Sequence, residues 1–169
     1  MENGNIKVGF VSLGCSKNLV DTEVMLYRLN EAGYSITADE TEADVVIINT
    51  CAFIESAKTE AIDNILDIAW LKENRSLRGI VVTGCLAERY REQILSELPE
   101  VDAVLGVGSI HDIVEAVKSA AKGKRYSNFE DKNDVKLGGE RIITTPEYFA
   151  YLKVAEGCDN RCTYCAIPL

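Results

Sequence analysis

Six cysteines and a single histidine, His111, limit the chemistry open to this 169-residue chain. Cys158, Cys162 and Cys165 lie in "CDNRCTYC" with the spacing C-x3-C-x2-C. Three thiolates on one tight loop can hold three irons of a [4Fe–4S] cluster and leave the fourth iron open. A zinc knuckle would want a fourth ligand, and a disulfide suits an oxidising compartment. Cys15, Cys51 and Cys85 are far apart in sequence, yet each follows a short apolar, β-branched run. Three thiolates there again suit a cubane cluster with one free iron, whereas a zinc site would lack an obvious fourth ligand. The plain alternative is that each is a small hydrophobe buried at a strand end.

The elements that must position these thiols can be read from periodicity. "IKVGFVSL" (Ile6 to Leu13), "DVVIINT" (Asp44 to Thr50) and "GIVVTG" (Gly79 to Gly84) read as fully buried parallel strands. "YSIT" and "AVLG" read as shorter strands. Between them, Leu19 to Ala32, Ile54 to Glu73, Ala87 to Leu98 and Ser109 to Ala121 read as helices. In the second, Ile54, Ala57, Ala61, Ile65, Ile68 and Ala69 form one apolar face, and Ser109 with Asp112 predicts a cap for the last. Alternating strands and helices imply a doubly wound parallel α/β domain over residues 1–122, with helices on both faces. Five strands are expected. In a flavodoxin-like order the strands before Cys15, Cys51 and Cys85 are neighbours ~4.8 Å apart, so their carboxyl ends would gather the three thiols.

Residues 123–147 are charged, contain Gly138, Gly139 and Pro146, and read as a linker. "YFAYLKVAEG" then turns apolar, like the first strand of a second domain over 148–169. Asn18, Asp21 and Asn49 beside the cysteines read first as capping and turn residues. "LGVGS" lacks a full phosphate-loop fingerprint and reads as a turn into a helix, with His111 on that helix's surface.

The open iron of a C-x3-C-x2-C cluster can be chelated by the amino and carboxylate groups of S-adenosylmethionine. With its flanks, "CDNRCTYCAIP" resembles the motif of the radical-SAM methylthiotransferases. "SLGCSKNLVDTE", "ADVVIINTCAFIESAK" and "TGCLAERY" are similar to the three cysteine segments of that family's N-terminal domain. "GCSKN" is closer to the branch that modifies ribosomal protein S12 than to the tRNA branch, where "GCQMN" is typical. The resemblance implies two [4Fe–4S] clusters. One, on Cys158, Cys162 and Cys165, generates the 5′-deoxyadenosyl radical, with Tyr164 near the adenine. The other, on Cys15, Cys51 and Cys85, carries or donates sulfur. It further implies transfer of a methylthio group to the β-carbon of an aspartate in ribosomal protein S12, with an electron donor and S-adenosylmethionine as methyl source.

A radical-SAM barrel needs on the order of 200 residues, so the chain is expected to end within that domain's beginning. On that reading the chain alone is inactive and binds S-adenosylmethionine negligibly. Its last residues are expected to be poorly anchored for want of strands to pair with. A formal net charge of -9 argues against a nucleic-acid face on this part. The start "MENGNIKVGF" lacks a signal-peptide pattern, and no apolar run reaches membrane-spanning length. The expected location is the cytoplasm. Two alternatives stay open: a tRNA methylthiotransferase acting on a modified adenosine, and a non-enzymatic iron-sulfur or metal-binding module.

Overall fold

The computed structural model describes residues 6–131 and 139–165. The end of the cysteine motif (Ala166 to Pro168), Gly138 and the first five residues lie outside the described residues.

Three six-residue strands form the centre of the sheet: β1 (Lys7–Ser12), β3 (Val45–Thr50) and β4 (Gly79–Gly84). Short strands flank them: β2 (Ser35–Thr37), β5 (Ala103–Leu105) and β6 (Tyr126–Asn128). All neighbours pair in parallel, in the order β2-β1-β3-β4-β5-β6. The doubly wound α/β reading is therefore correct, with one strand more than expected. β6 falls in the stretch read as a linker. Three residues amid charges carry no period of their own, and the strand is defined by bonds to its neighbour. Tyr126 N–H donates to the Asp102 carbonyl, and Gly106 N–H to the Asn128 carbonyl, both at 2.9 Å.

Every residue of β3 and β4 is buried because the sheet is covered on both faces. Val45 and Ile47 pack with Val8 and Val81 against Met25 and Leu29 of α1 (Ser16–Glu31) and Ile113 and Val117 of α5 (Ile113–Ala120). Val46 and Ile48, one residue out of phase, face the other way. There they meet Ala61, Ile65, Ile68 and Ala69 of α2 (Glu55–Asn74), Leu86 and Ala87 of α3 (Cys85–Arg89), and Ile94 of α4 (Arg91–Glu97). Two cores thus share one sheet.

Several local expectations need correction. Ile54 is not on the buried face of α2; it precedes the helix and is largely exposed. The helix expected over Ala87 to Leu98 is two, broken at Tyr90, whose backbone (φ -119, ψ 35) leaves the helical range. Glu88 holds the first piece in place by accepting from Val107 N–H at 3.0 Å. Ser109 does not cap a helix: the chain makes a 3-10 turn over Val107–Asp112, and buried Ser109 Oγ accepts from Glu130 N–H at 2.8 Å. His111 is half-buried in that turn, not on a helix surface.

Residues 148–157, expected as a strand, form none, since no sheet edge pairs with them. Within this segment Lys153 is tied to α1 by an ion pair with Asp21, while most of its other residues, and Cys158 and Cys162 after it, are exposed.

Ile47 is fully buried at the middle of the central strand. Ile47→Ala is expected to cost about 2–5 kcal/mol by leaving a cavity that the sheet cannot close. Urea unfolding would register this as a lower midpoint at unchanged slope.

Candidate metal centre

The topological switch lies between β1 and β3, where the connections leave toward opposite faces and a crevice opens at the strands' carboxyl ends. All three cysteines of the first set are there. Cys15 caps the start of α1, Cys51 directly follows β3, and Cys85 opens α3 just beyond β4. Register aligns them: Ser12 pairs with Asn49, and Thr50 with Gly84. The next residue on each of β3 and β4 is a cysteine.

The backbone before two of these cysteines needs glycine. Gly14 has φ 106, and a Cβ there would lie 2.8 Å from Cys51 Cβ and 3.2 Å from its Sγ. Gly84 has φ 92, and a Cβ would come within 2.4 Å of both Asn49 Oδ1 and the Thr50 carbonyl. Both positions combine a left-handed turn with close approach to the neighbouring loop.

Asn18 ties the loops together. Its Nδ2 donates to the Thr50 carbonyl at 2.8 Å and the Leu13 carbonyl at 3.1 Å, so one buried amide bridges the turns that carry Cys15 and Cys51. Asn49 answers from β3, with Nδ2 donating to the Asn18 carbonyl at 2.7 Å and Thr22 Oγ1 at 3.0 Å. These asparagines are therefore cross-loop braces and not helix caps. The remaining acceptor, Asn18 Oδ1, receives the thiols of Cys15 at 3.8 Å and Cys85 at 3.9 Å.

The thiols also sense one another. Desolvation of the Cys85 thiol, together with the negative charges of Cys51 and then Cys15, raises its pKa to about 11 against the opposing pull of Lys17. Three thiolates would repel here unless a cation lay among them, which is the donor chemistry an iron-sulfur cluster satisfies. Among the described residues, no group of three or more His, Cys, Asp or Glu side chains is arranged to hold one metal ion. A single zinc ion requires thiolates converging at ~2.3 Å on one centre. A cubane places each thiolate on a different iron, so its ligands stay further apart.

The second set lies on an irregular segment. Cys158 and Cys162 are exposed and Cys165 is half-buried, with a turn closed by Cys165 N–H donating to the Cys162 carbonyl at 3.1 Å. Tyr164 is almost wholly exposed.

The sequence did not disclose what holds this segment. Lys153 Nζ lies 2.5 Å from Asp21 Oδ1 and also pairs with Glu156, whose Oε2 is 3.3 Å from Lys17 Nζ. Asp21 is thus neither a cap nor a turn residue. Its burial raises its pKa, with Lys153 opposing that rise. Burial pulls the other way on Lys153, but Asp21 and Glu156 outweigh it and hold its pKa above the ordinary value. Beside this group, Glu23 is 2% exposed at its side chain and pairs with Arg141 at 3.2 Å, and its Oε1 accepts from Thr144 N–H at 2.7 Å. The available signal was a pair of acids, Asp21 and Glu23, inside the otherwise apolar middle of α1.

Comparison with known proteins follows this geometry. A profile described as "Uncharacterized protein family UPF0004" matches residues 7–106, more than half the chain and the segment that holds Cys15, Cys51 and Cys85. The chain belongs to that family. It is 49% identical over 164 residues to a protein of Lachnoclostridium phytofermentans named "Ribosomal protein uS12 methylthiotransferase RimO". Proteins of the same name from Thermoanaerobacter sp. and Clostridioides difficile are 51% and 49% identical. These matches cover 95–96% of the chain but 37% of each relative, so this UPF0004 chain spans little more than a third of their length. Among its described residues no helix is long and apolar enough to cross a membrane.

In metal-free protein the raised Cys85 pKa keeps its thiol protonated at neutral pH. Its alkylation rate should still be climbing above pH 9 and reach half its limit near pH 11, as a pKa of about 11 requires. The sign for stability follows. A pKa raised on folding contributes stability below the unfolded thiol's pKa, and this is lost as pH rises through about 11. Mass-resolved alkylation against pH checks the assignment.

Proposed function

We propose that this chain is the N-terminal part of an iron-sulfur enzyme that transfers a methylthio group to an aspartate side chain of ribosomal protein S12. The observation that carries the reading is the gathering of Cys15, Cys51 and Cys85 at the carboxyl ends of three adjacent strands, braced by Asn18. The named relatives, about half identical to this chain, supply the reaction and the substrate. "CDNRCTYC" supplies the second ligand set, Cys158, Cys162 and Cys165, with Tyr164 read as a partner for the adenine of S-adenosylmethionine.

On this reading each cysteine set holds a [4Fe–4S] cluster, and together these supply the electron transfer and the sulfur that an unactivated C–H bond requires. The chain's own residues prepare the first site. Asn18 and Asn49 keep the loops of Cys15 and Cys51 at fixed separation. Gly14 lets those loops close without a side chain between them. Lys17, two residues beyond Cys15, favours the thiolate of Cys85 by lowering its pKa against burial and the neighbouring thiolates. The missing length relative to the relatives provides the remaining surfaces for S-adenosylmethionine and ribosomal protein. A reducing cytoplasm keeps the six thiols available, and an electron donor acts there.

Anaerobic reconstitution of the chain beside a Cys15→Ala/Cys51→Ala/Cys85→Ala variant tests the first site. The variant should bind about four fewer irons and four fewer sulfides per chain. Equal iron in the two proteins would refute the assignment. Mass analysis of ribosomal protein S12 and tRNA from cells carrying the full-length gene tests the substrate. Methylthiolated tRNA beside unmodified protein would refute it.

A further inference from the structure

The middle of α1 is buried all round. One side packs on the sheet, and the other meets Arg141, Ile142, Thr144, Lys153 and Glu156 of the tail. A helix so enclosed is normally apolar throughout, yet this one presents Asp21 and Glu23 to the covering segment. Each acid takes one base from it: Asp21 takes Lys153, and Glu23 takes Arg141. The Glu23 pair is reinforced by backbone, since Ile142 N–H donates to the Glu23 carbonyl at 3.1 Å. Lys153 is the more enclosed of the two bases, with 7% of its side chain exposed. Among the described residues it is also the one of the two shared with a second carboxylate, Glu156, which in turn meets Lys17 through both its carbonyl and its carboxylate.

The positions of these residues matter. Lys17 stands two residues after Cys15, and Glu156 two residues before Cys158. Two residues of chain span at most about 7 Å. The network Asp21–Lys153–Glu156–Lys17 therefore bridges the loop of one cysteine set and the approach to the other. We infer that Lys153 is a positioning residue. Buried between Asp21 and Glu156, it locks the segment leading to Cys158, Cys162 and Cys165 onto the helix that begins at Cys15.

The lock selects for a base. Removing Lys153 leaves Asp21 buried beside Glu156 with no counter-charge between them, which favours release of the tail to water over retention of the contact. Arginine preserves the charge, whereas methionine preserves only the length. The inference borrows from the proposed function only the significance of the two cysteine sets. Docking can be read on metal-free protein, so its failure is separate from a failure to bind iron.

The test uses the reduced, metal-free chain and a flexible bis-maleimide. Cys15, Cys158 and Cys162 are exposed and carry the crosslinks. Crosslinks joining a cysteine of the first set to one of the second are counted by mass spectrometry in wild type, Lys153→Met and Lys153→Arg. Lys118→Met, which breaks an exposed pair on α5, serves as control. Hydrogen exchange on the same proteins reports folding. Lys153→Met should lower the cross-set yield severalfold and raise exchange over 139–157 by about tenfold or more, as loss of one partner from a buried pair implies. β1, β3 and β4 should stay protected, Lys153→Arg should recover most of the yield, and Lys118→Met should match wild type. Unchanged cross-set yield in Lys153→Met would overturn the proposal. So would a rise in exchange spread equally over the tail and the central strands, which would mark Lys153 as a general stabiliser. Failure of Lys153→Arg to recover any yield would also count against it.

Discussion

The carboxyl edge of the sheet takes its shape from one buried amide. Asn18 spans the two loops on either side of the switch point, satisfying the carbonyls of Leu13 and Thr50, and leaves its oxygen facing two of the three thiols. A parallel sheet brings strand ends to a common edge, but the loops beyond would otherwise diverge toward opposite faces. Without that amide the buried Thr50 carbonyl would lose a donor, at about 1–3 kcal/mol, and the part-buried Leu13 carbonyl would lose its own. The glycines before Cys15 and Cys85 serve the same constraint by allowing backbone to approach backbone.

Charge plays the corresponding part on the other side of α1. Its acids are not remnants of a solvated face, since Glu23 and Asp21 are both enclosed by the chain that returns across them. Ion pairs of this kind stabilise little relative to apolar packing, yet they are costly to break and demanding in geometry. Such contacts suit a segment that must sit in one place. Among the described residues the tail pairs with no strand, so side-chain charge does what a sheet ladder does elsewhere in the fold.

How much of this could be read in advance depended on range. "DVVIINT" and "GIVVTG" announce buried strands because a two-faced sheet needs apolar residues at every position. The shared edge of Cys15, Cys51 and Cys85 followed from strand direction alone. β6 could not be read, since Tyr126–Asn128 has no pattern apart from its bonds to β5. The break at Tyr90 has no Gly or Pro to announce it, and Glu88 just before it is held by Val107, a contact across 19 positions. The docking of the tail depends on contacts across more than 120 positions, such as Thr144 with Glu23. Arg141 falls in the stretch read as linker and Lys153 in the one read as a strand, while on α1 Asp21 read as a capping residue and Glu23 was not singled out. Neither half identifies the other until both are placed in space.

The central claim is that Cys15, Cys51 and Cys85 act as one ligand set. Iron anomalous scattering from anaerobically reconstituted crystals addresses it directly. The account predicts a compact group of iron peaks at the carboxyl ends of β1, β3 and β4, bonded to all three sulfurs. Iron bound to only one or two of them, or a well-occupied crystal in which the three thiols point apart, would contradict it.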